Sequence, residues 1–476
     1  MIAKLISPFN EKAQQWVEGQ NRVWDEINTL KKQVQQPLIW MHCASYGEYE
    51  QGLPIIEEIK LKYPSHQIWL TFFSPSGYLH RKNDTKADFV TYLPLDGKKN
   101  ATLFIETLQP SLIIFIKYEF WFHYLSIAKQ KNIPTILASA IFRENQIFFQ
   151  WYGGFYKKML GLFSALLVQD KSSEILVTPW VTNTQVLMSG DTRFDRVLST
   201  AAVVKKFEWV QKINSNKIII AGSTWEKDHI ILAQAVNTLA TFNWIIVPHQ
   251  VDPISIIECK SHFPKAITLT ELIASKQHYT LPTVIIVDQI GLLRSLYQYA
   301  FISYVGGGFG KDGVHNVLEP AAFGKPVLWG SNDIKYREAI GLRKEGGGYT
   351  IQNAEELIER IQFFESSQEA YNLSAKKAAQ FVINNAGATK KTIEFFTELM
   401  QLIHPFMPFV SEEIYHQLEK RNKDLCVRQI KSYTQTKSSL LNNGQLLKNV
   451  ISGIRDVRNK QQVNYQLMLH QLVVSK

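Results

Sequence analysis

The stretch from Tyr304 to Asn332 restricts the fold of this chain more than any other. An apolar strand at Phe301 to Val305 runs into three consecutive glycines, and a short helical run then leads to a second apolar strand at Val327 to Trp329. Glycine accepts a positive φ and lets a ligand approach the backbone closely. The pattern predicts one βαβ step whose loop lies at the carboxyl end of a strand, where open α/β sheets bind ligands.

Glu319 helps to distinguish a nucleotide-binding loop from a purely structural turn. It lies in the run His315-Asn316-Val317-Leu318-Glu319-Pro320, just before Gly324-Lys325-Pro326. A carboxylate at a helix start caps the helix, or it accepts hydrogen bonds from ribose hydroxyls while the helix N-terminus faces a phosphate. A glycine run alone also fits a dinucleotide fold or a tight structural turn. The combination resembles the nucleotide-binding half of glycosyltransferases with two facing Rossmann-like domains.

The first half of the chain alternates apolar strands with helical segments, which predicts a parallel sheet with right-handed crossovers. The predicted strands lie at Leu38 to Cys43, Gln67 to Phe73, Ser111 to Lys117, Pro134 to Ser139 and Ala165 to Gln169. Glu48, Ser76, Glu119 and Arg143 each fall just past a strand end. Any one of them is explained by helix capping or by a surface charge. Their shared place at one sheet edge favours a binding or catalytic site.

A second α/β unit begins after a polar helical connection near residues 197–213. Its first strand, from Lys217, ends in Gly222-Ser223-Thr224, whose backbone N–H groups and hydroxyls suit an anion. The strand Trp244 to Val247 ends in Pro248-His249, and helices are predicted over 354–364 and 367–400 with a break at 384–389.

The net charge of +10 is concentrated near the C-terminus of the 476-residue chain. Beyond residue 400 there are eleven Lys or Arg residues against five Asp or Glu, an excess of six. Such a balance suits an acidic substrate or an anionic membrane surface at least as well as nucleic acid. Cys43, Cys259 and Cys426 are scattered, which predicts a reducing compartment. We find no secretory signal and no run near the roughly 20 apolar residues of a membrane span.

Several motifs resemble the bacterial Kdo transferases, which attach the acidic eight-carbon sugar Kdo to a lipid A precursor. The resemblance covers residues 7–400, and the motifs occur in the family's order. They are Ser45 to Glu48, Thr71 to Gly77, Tyr118 to Trp121, Gly190 to Asp195, Gly222 to Thr224, residues 304–330 and Asn385 to Thr389. Two features depart from the family: an apolar N-terminal anchor is absent, and Pro248-His249-Gln250 stands where many members have Pro-Arg-His.

The resemblance implies an α/β fold of two facing Rossmann-like domains, the GT-B type, with a short helical C-terminal appendage. We predict an acceptor-binding domain over 1–205, a CMP-sugar-binding domain over 206–400 and a basic tail over 401–476. The implied donor is CMP-Kdo, and the implied acceptor is a lipid A precursor at the cytoplasmic face of the inner membrane. Contact with that anionic surface is expected to be peripheral, and the reaction is expected to invert the anomeric carbon without a cofactor or metal.

The tail resembles part of the anticodon-binding domain of valyl-tRNA synthetases. The similarity rests on Leu402 to Tyr415 and on Ile454 to Asn459. We expect no tRNA binding by the tail, because nothing that resembles a synthetase active site is present.

Glu48 is the predicted catalytic base, with Glu119 as the other candidate or as its orienting partner. The groups that we predict to bind the donor are Arg193, Ser223, Thr224, His249, Gly306, Gly307, Gly308, Lys311, Asn316 and Glu319. Two alternatives stay open at this point. One is a sugar-nucleotide epimerase of the same double-Rossmann plan, and the other is an RNA-binding protein that acts through its basic tail.

Overall fold

A computed structural model describes residues 7–83, 86–211, 213, 217–274, 284–311 and 313–403. All of them lie in one compact unit, Met1–Lys420. The predicted appendage beyond Ile403 lies outside the described residues. The described chain forms two parallel sheets of seven strands each, as expected for a glycosyltransferase with two Rossmann-like domains.

The first sheet has the strand order β3-β2-β1-β4-β5-β6-β7, and every pairing in it is parallel. Its strands are β1 Leu38–Cys43, β2 Gln67–Phe72, β3 Phe89–Tyr92, β4 Leu112–Ile116, β5 Thr135–Ala140, β6 Ala165–Val168 and β7 Gln185–Met188. The central strands are buried along their whole length because helices cover both faces, which explains their continuous apolar runs. The chain reverses its direction of winding between β1 and β4, so a crevice opens at their carboxyl ends.

Nine helices accompany this sheet in the described residues up to 211. They are α1 Glu11–Lys31, α2 Tyr46–Lys62, α3 Pro75–Arg81, α4 Lys98–Leu108, α5 Phe122–Gln130, α6 Gly154–Leu160, α7 Lys171–Val177, α8 Thr192–Ala202 and α9 Glu208–Gln211. The first helix begins at Glu11 because Asn10 caps it by accepting a hydrogen bond from the backbone N–H of Ala13 at 3.0 Å.

The second sheet repeats the plan with the order β10-β11-β9-β8-β12-β13-β14, again parallel throughout. Its strands are β8 Ile218–Thr224, β9 Asn243–Pro248, β10 Ile267–Thr268, β11 Val284–Ile286, β12 Ile302–Val305, β13 Val327–Gly330 and β14 Gly348–Ile351. The winding reverses between β8 and β12. The crevice of this sheet therefore lies between the Gly-Ser-Thr turn and the glycine loop.

The helices of the second half are short around the ligand-facing loops and longer toward the C-terminus. They are α10 Glu226–Thr238, α11 Pro253–His262, α12 Leu269–Ala274, α13 Leu293–Leu296, α14 Leu318–Ala322, α15 Arg337–Glu345, α16 Ala354–Ser366, α17 Gln368–Asn385 and α18 Ala388–Ile403. The predicted break near 384–389 is the junction between α17 and α18.

The sequence did not predict β3, β10 or β14. Each has only two to four residues, and β14 begins at a glycine, so none shows the apolar run that marks the central strands. All three are edge strands of their sheets.

The last helix crosses back to the first sheet. Ile393 and Phe395 of α18 are buried in the first hydrophobic core, and Thr397 Oγ1 lies 3.2 Å from the hydroxyl of Tyr63. Asp195 fixes the turn before the helix by accepting hydrogen bonds from the backbone N–H groups of Gly387 at 2.7 Å and Thr389 at 3.0 Å. The predicted domain limits at 205 and 400 stay predictions, but α18 packs with the first domain rather than the second.

Candidate active site between the two sheets

A cavity of about 350 Å³ lies between the two sheets, and both of them contribute to its walls. The first domain supplies Gly47, Glu50 and Gln51 from the start of α2. The second domain supplies the segment 313–316 and Glu319 at the start of α14. The crevices at the two reversal points therefore open onto one shared space.

Glu48 lies in the first turn of α2, immediately after β1. The hydroxyl of Ser45 donates a hydrogen bond to its carboxylate, and the ammonium of Lys117, which follows β4, lies 3.5 Å away. Lys117 lines the cavity. Glu48 is thus held between the segments that follow β1 and β4, beside Gly47 and Lys117 of the cavity wall, although it is not itself among the residues that line the cavity.

Glu119 is buried, and its carboxylate is bound to two aromatic side chains. Trp121 Nε1 donates to Glu119 Oε2 at 2.7 Å, and His42 Nε2 lies 3.1 Å from the same oxygen. The other ring nitrogen of His42 is 2.8 Å from the hydroxyl of Thr71, which also accepts from Trp40. Glu119 lies outside the set of residues that line the cavity. This network fixes the segment that follows β4, which begins with Lys117.

A buried aspartate holds the glycine loop against the second sheet. Asp228 accepts hydrogen bonds from the backbone N–H of Gly307 at 2.9 Å and from the hydroxyl of Tyr304 at 2.6 Å. A Cβ on Gly306 would meet the backbone oxygen of Ser223 at 2.4 Å, and a Cβ on Gly308 would meet the backbone of Gly330 at 2.5 Å. The glycines are therefore required by backbone packing, whatever ligand binds.

Gly222, Ser223 and Thr224, predicted as a turn after the strand, form the end of β8 and lie directly beside this loop. Ser223 adopts a left-handed backbone with φ of 54°, and Thr224 is buried with its hydroxyl 2.9 Å from His229 Nε2. The backbone N–H of His249 donates to the carbonyl of Thr224 at 2.9 Å, so the ends of β8 and β9 are tied together.

Three aromatic rings form a stack at this corner. The His249 ring stacks on Trp225 and on His315, each with centroids 4.5 Å apart. Trp225 Nε1 donates to Nε2 of His315 at 2.8 Å. His249, which the sequence predicts to bind the sugar donor, therefore links His315, after the glycine loop, to Trp225, directly after β8.

Glu319 is partly buried and is bound to an arginine. Arg294 Nε donates to Glu319 Oε1 at 3.0 Å, and Asn316 Nδ2 donates to the same oxygen at 3.3 Å. Burial raises the pKa of Glu319, and Arg294 offsets only part of this effect. The side-chain oxygen of Asn316 accepts a hydrogen bond at 3.1 Å from the backbone N–H of Leu318, the first residue of α14. Glu319 lines the cavity.

Arg294 also reaches the first domain. Its Nη2 donates to Glu50 Oε2 at 2.7 Å, and Arg196 Nε approaches the same oxygen at 3.4 Å. Burial alone would raise the pKa of Glu50, but Arg294 and Arg196 outweigh it, and the pKa is lowered. Glu50, Arg294 and Glu319 form a charged bridge across the cavity.

Arg193 is held by two carboxylates. Its guanidinium binds Glu338 at 2.6 Å and 3.2 Å and Asp191 at 2.7 Å. The desolvation of this guanidinium lowers its pKa, but the two acids overcome that effect and raise the pKa. Its predicted contact with the donor phosphate stays a prediction. Lys311 is exposed in the loop after the glycines and does not line the cavity.

The sequence analysis missed Glu50, Asp228 and Arg294. Glu50 stands two positions after Glu48 and looks like one more helical acid, and Asp228 looks like an ordinary helix-start acid. Arg294 belongs to no recognisable motif. Only the position of Glu50 beside the predicted base offered a signal in the sequence.

One group of possible metal ligands lies on α10 and α11, away from the cavity. Ligand atoms of Glu226, Glu258 and His262 come within 4.8 Å of one another, and Glu258 already contacts both His262 and His229. Among the described residues, no helix is both long and apolar enough to cross a membrane.

Solved structures with the same fold support the two-sheet architecture. A UDP-N-acetylglucosamine 2-epimerase matches with a TM-score of 0.54 at 12% identity, over 84% of this chain and 100% of the other. A glycosyltransferase from Rickettsia africae matches with a TM-score of 0.51 at 16% identity, over 77% of this chain and 99% of the other. At such identities these likenesses establish the fold, and the predicted GT-B class is confirmed.

The family model of the anticodon-binding domain of tRNA ligases matches residues 349–473. It confirms the predicted resemblance of the tail and begins earlier than the predicted limit at 401. Within the described residues, the matched part includes β14 and the helices α16 to α18, which pack with the two sheets.

Sequence relatives distinguish between enzymes that share this fold. The family model of 3-deoxy-D-manno-octulosonic-acid transferase (kdotransferase) matches residues 21–196. The chain is 29% identical to the 3-deoxy-D-manno-octulosonic acid transferase of Aquifex aeolicus over 68% of its own length and 84% of the relative's. It is 26% identical to the enzyme of the same name from Haemophilus influenzae over 78% and 87%. The chain is therefore a GT-B glycosyltransferase that matches the Kdo transferase family model over residues 21–196 and is similar to the Kdo transferases over most of its length.

Proposed function

We propose that this enzyme transfers Kdo from CMP-Kdo to a hydroxyl of a lipid A precursor and inverts the configuration at the anomeric carbon. The observation that carries the proposal is the shared cavity onto which the reversal points of both sheets open. One wall has Asn316 and Glu319, which are predicted to hold a nucleotide, and the opposite wall has Gly47, Glu50 and Gln51 at the start of α2, next to Glu48. The names of the relatives support Kdo as the sugar.

The second domain offers a site for the CMP part of the donor. The turn at Ser223 and Thr224 is suited to the phosphate, and Glu319 is suited to the ribose hydroxyls. The Trp225, His249 and His315 rings form a wall beside both. Arg294 already neutralises Glu319, so a donor that bonds to this carboxylate exchanges one hydrogen-bonding partner for another.

Glu48 is the proposed base. The acceptor hydroxyl attacks the ketosidic carbon, a new C–O bond forms, and the bond from that carbon to the CMP phosphate oxygen breaks. CMP leaves with the electron pair, while Glu48 takes the hydroxyl proton. Ser45 and Lys117 orient the carboxylate toward the cleft. Glu119 acts indirectly, because its hydrogen bonds with His42 and Trp121 fix the segment that follows β4.

An exposed group of aromatic residues supports a lipid acceptor. Trp151 is 93% exposed, and it is joined by other outward-facing rings in the segment that follows β5, on α6 and just after α7. This aromatic surface consists of Trp151, Tyr152, Phe155, Tyr156 and Trp180. Lys158 is exposed among these rings, and the Lys157 ammonium lies 3.6 Å above the Trp180 ring. Aromatic rings beside lysines suit the interface of an anionic membrane.

This surface agrees with peripheral attachment at the cytoplasmic face of the inner membrane. The segment leaves β5 at the carboxyl edge of the first sheet, the same edge from which Glu48 projects. An acceptor could then present its sugar hydroxyl to the cleft while its acyl chains stay in the bilayer.

The test is to incubate the protein with CMP-Kdo and a lipid A precursor and to measure free CMP. We expect release of CMP well above spontaneous hydrolysis only when both substrates are present, together with a lipid product whose mass increases by one Kdo or more. A parallel incubation with UDP-N-acetylglucosamine addresses the epimerase. Epimerisation there, with no CMP release from CMP-Kdo, would overturn the proposal.

A further inference from the structure

A second cavity, of about 360 Å³, adjoins the first at the junction of the two domains. The first domain contributes Lys117, Tyr118 and Arg143, which follow strands β4 and β5. The second domain contributes Lys335 from the segment between β13 and α15 and Arg337 from the start of α15. Neither the donor site nor the proposed base accounts for Arg143, Lys335 and Arg337.

Positive charge prevails in this cavity. Five cationic side chains line it against three acidic ones. Lys117 is engaged by Glu48, and Arg193 is engaged by Asp191 and Glu338. Arg337 pairs with Asp170. Within the described part of the chain, no carboxylate lies at ion-pair distance from Arg143 or Lys335, so these two cations of the cavity have no paired acid.

The basic groups from the two domains are close together. Arg143 Nη2 lies 3.5 Å from the backbone oxygen of Lys335, so the guanidinium spans the junction. Burial lowers the pKa of Arg337, and the nearby Arg143 lowers it further, which is the effect of two like charges in proximity. Burial raises the pKa of the Tyr118 phenol, and the same two guanidiniums lower it part of the way back.

We propose that Arg143, Lys335 and Arg337 bind a phosphomonoester of the acceptor. A phosphomonoester carries a charge of about −1.5 to −2 at neutral pH, which suits the two cations, Arg143 and Lys335, that have no paired acid among the described residues. Guanidinium groups bind phosphate through paired hydrogen bonds. This assignment rests on the proposed function, because the glucosamine disaccharide of lipid A precursors bears phosphomonoesters and the cavity adjoins the cleft of Glu48.

The site also gives the acceptor a role in bringing the domains together. One phosphate held by Arg143 on one side and by Lys335 and Arg337 on the other links the two halves of the cleft. The donor phosphate, by contrast, is expected at Ser223 and Thr224, at the end of β8.

The test measures binding without catalysis. Two soluble ligands are titrated by calorimetry in the absence of donor: a glucosamine disaccharide bisphosphate without acyl chains, and the same disaccharide without phosphates. We expect the wild-type protein to bind the bisphosphate at least about tenfold more tightly, as is typical when hydrogen bonds to a charged group are gained. The double variant Arg143→Gln with Lys335→Gln should lose most of that preference and keep its affinity for CMP.

A matched control removes two exposed lysines elsewhere, Lys265→Gln with Lys344→Gln, and should keep the preference. Inorganic phosphate should bind far more weakly than the bisphosphate, because it lacks the sugar contacts. Equal binding of the two disaccharides by the wild type, no binding of either, a preference retained by the double variant, or a loss of CMP affinity in that variant would each overturn the assignment. So would inorganic phosphate binding as tightly as the bisphosphate. Thermal melting checks that both double variants fold.

The outcome can be separated from the fate of the proposed function. If the wild type transfers Kdo but shows no phosphate preference, only the phosphate site is wrong. If a preference exists and depends on Arg143 and Lys335 while no Kdo is transferred, the anion site stands and the proposed reaction fails.

Discussion

The guanidinium of Arg294, in the second domain, donates a 2.7 Å hydrogen bond to the carboxylate of Glu50, in the first domain. The same guanidinium binds Glu319, the predicted partner of the donor ribose. One side chain thus links the donor site to the opposite wall of the cleft. We infer that a donor that engages Glu319 also alters the contact between the domains.

Glu48→Gln tests the base, because it preserves the size of the side chain and removes the proton acceptor. We expect sugar transfer to fall by roughly a hundredfold or more, the scale of a lost general base, with CMP affinity unchanged. Single-turnover assays and calorimetry measure the two quantities. Glu57→Gln, farther along α2, serves as the control. Near-normal turnover in Glu48→Gln would eliminate this residue as the base.

Glu319→Ala tests recognition of the ribose. If the carboxylate binds ribose hydroxyls, CMP should bind about 1.5–3 kcal/mol more weakly, as for hydrogen bonds to a charged group. A 2′,3′-dideoxy analogue of CMP should lose much less affinity. Calorimetry on both ligands makes the comparison, and equal losses would indicate that Glu319 acts only through its pairing with Arg294.

His66 predicts a dependence of stability on pH. It is buried at 1% exposure, and burial lowers its pKa from 6.5 to about 4. The folded state favours the neutral ring, so its contribution to stability is complete above pH 6.5 and is lost as pH falls from there to about 4. The whole difference amounts to roughly 3 kcal/mol.

Urea unfolding of the wild type and of His66→Phe at several pH values measures this effect. The free energy of unfolding should fall less steeply in the variant between pH 6.5 and 4. The exposed His80 gives the control His80→Gln, which should follow the wild type. Parallel curves for the wild type and His66→Phe would refute the assignment.

The last helix predicts where the chain can be shortened. Ile393 and Phe395 of α18 belong to the core of the first domain, so a protein that ends at Ile403 should melt cooperatively and transfer Kdo to detergent-dispersed acceptor. A protein that ends at Gly387 lacks α18 and should be much less stable, since it exposes both of these apolar side chains. Calorimetric melting and CMP release measure both. Loss of transfer in the longer truncation would make the tail part of the catalytic fold.

The aromatic surface predicts how the protein binds membranes. Replacing Trp151 and Phe155 by Ser should weaken binding to vesicles that contain phosphatidylglycerol by about tenfold or more, because two large apolar side chains no longer enter the interface. Vesicle sedimentation measures the binding, and transfer to detergent-dispersed acceptor should be kept. Replacing the exposed Ile254 and Ile257 of α11 is the control. Undiminished binding by the Trp151 and Phe155 variant would place the membrane contact elsewhere.

The sequence by itself determined the class of fold and the position of most site residues along the chain. Parallel strands buried on both faces need continuous apolar runs, so Leu38–Cys43 and Leu112–Ile116 were recognisable without any tertiary contact. The residues after such strands must lie at one edge of the sheet, which fixed Glu48 and the glycine loop. Short outer strands such as Phe89–Tyr92 carry too few apolar residues to be seen in this way.

Only the tertiary structure decided which of these groups act on one another. Arg294 and Glu50 are 244 positions apart, and Arg143 and Lys335 are 192 apart. Local periodicity contains no information about such pairs, because it reports only which face of a helix or strand a residue occupies. Their contacts depend on how two separately formed sheets face each other. For the same reason, the sequence did not distinguish an acid bound to His42, such as Glu119, from one that lines the cleft.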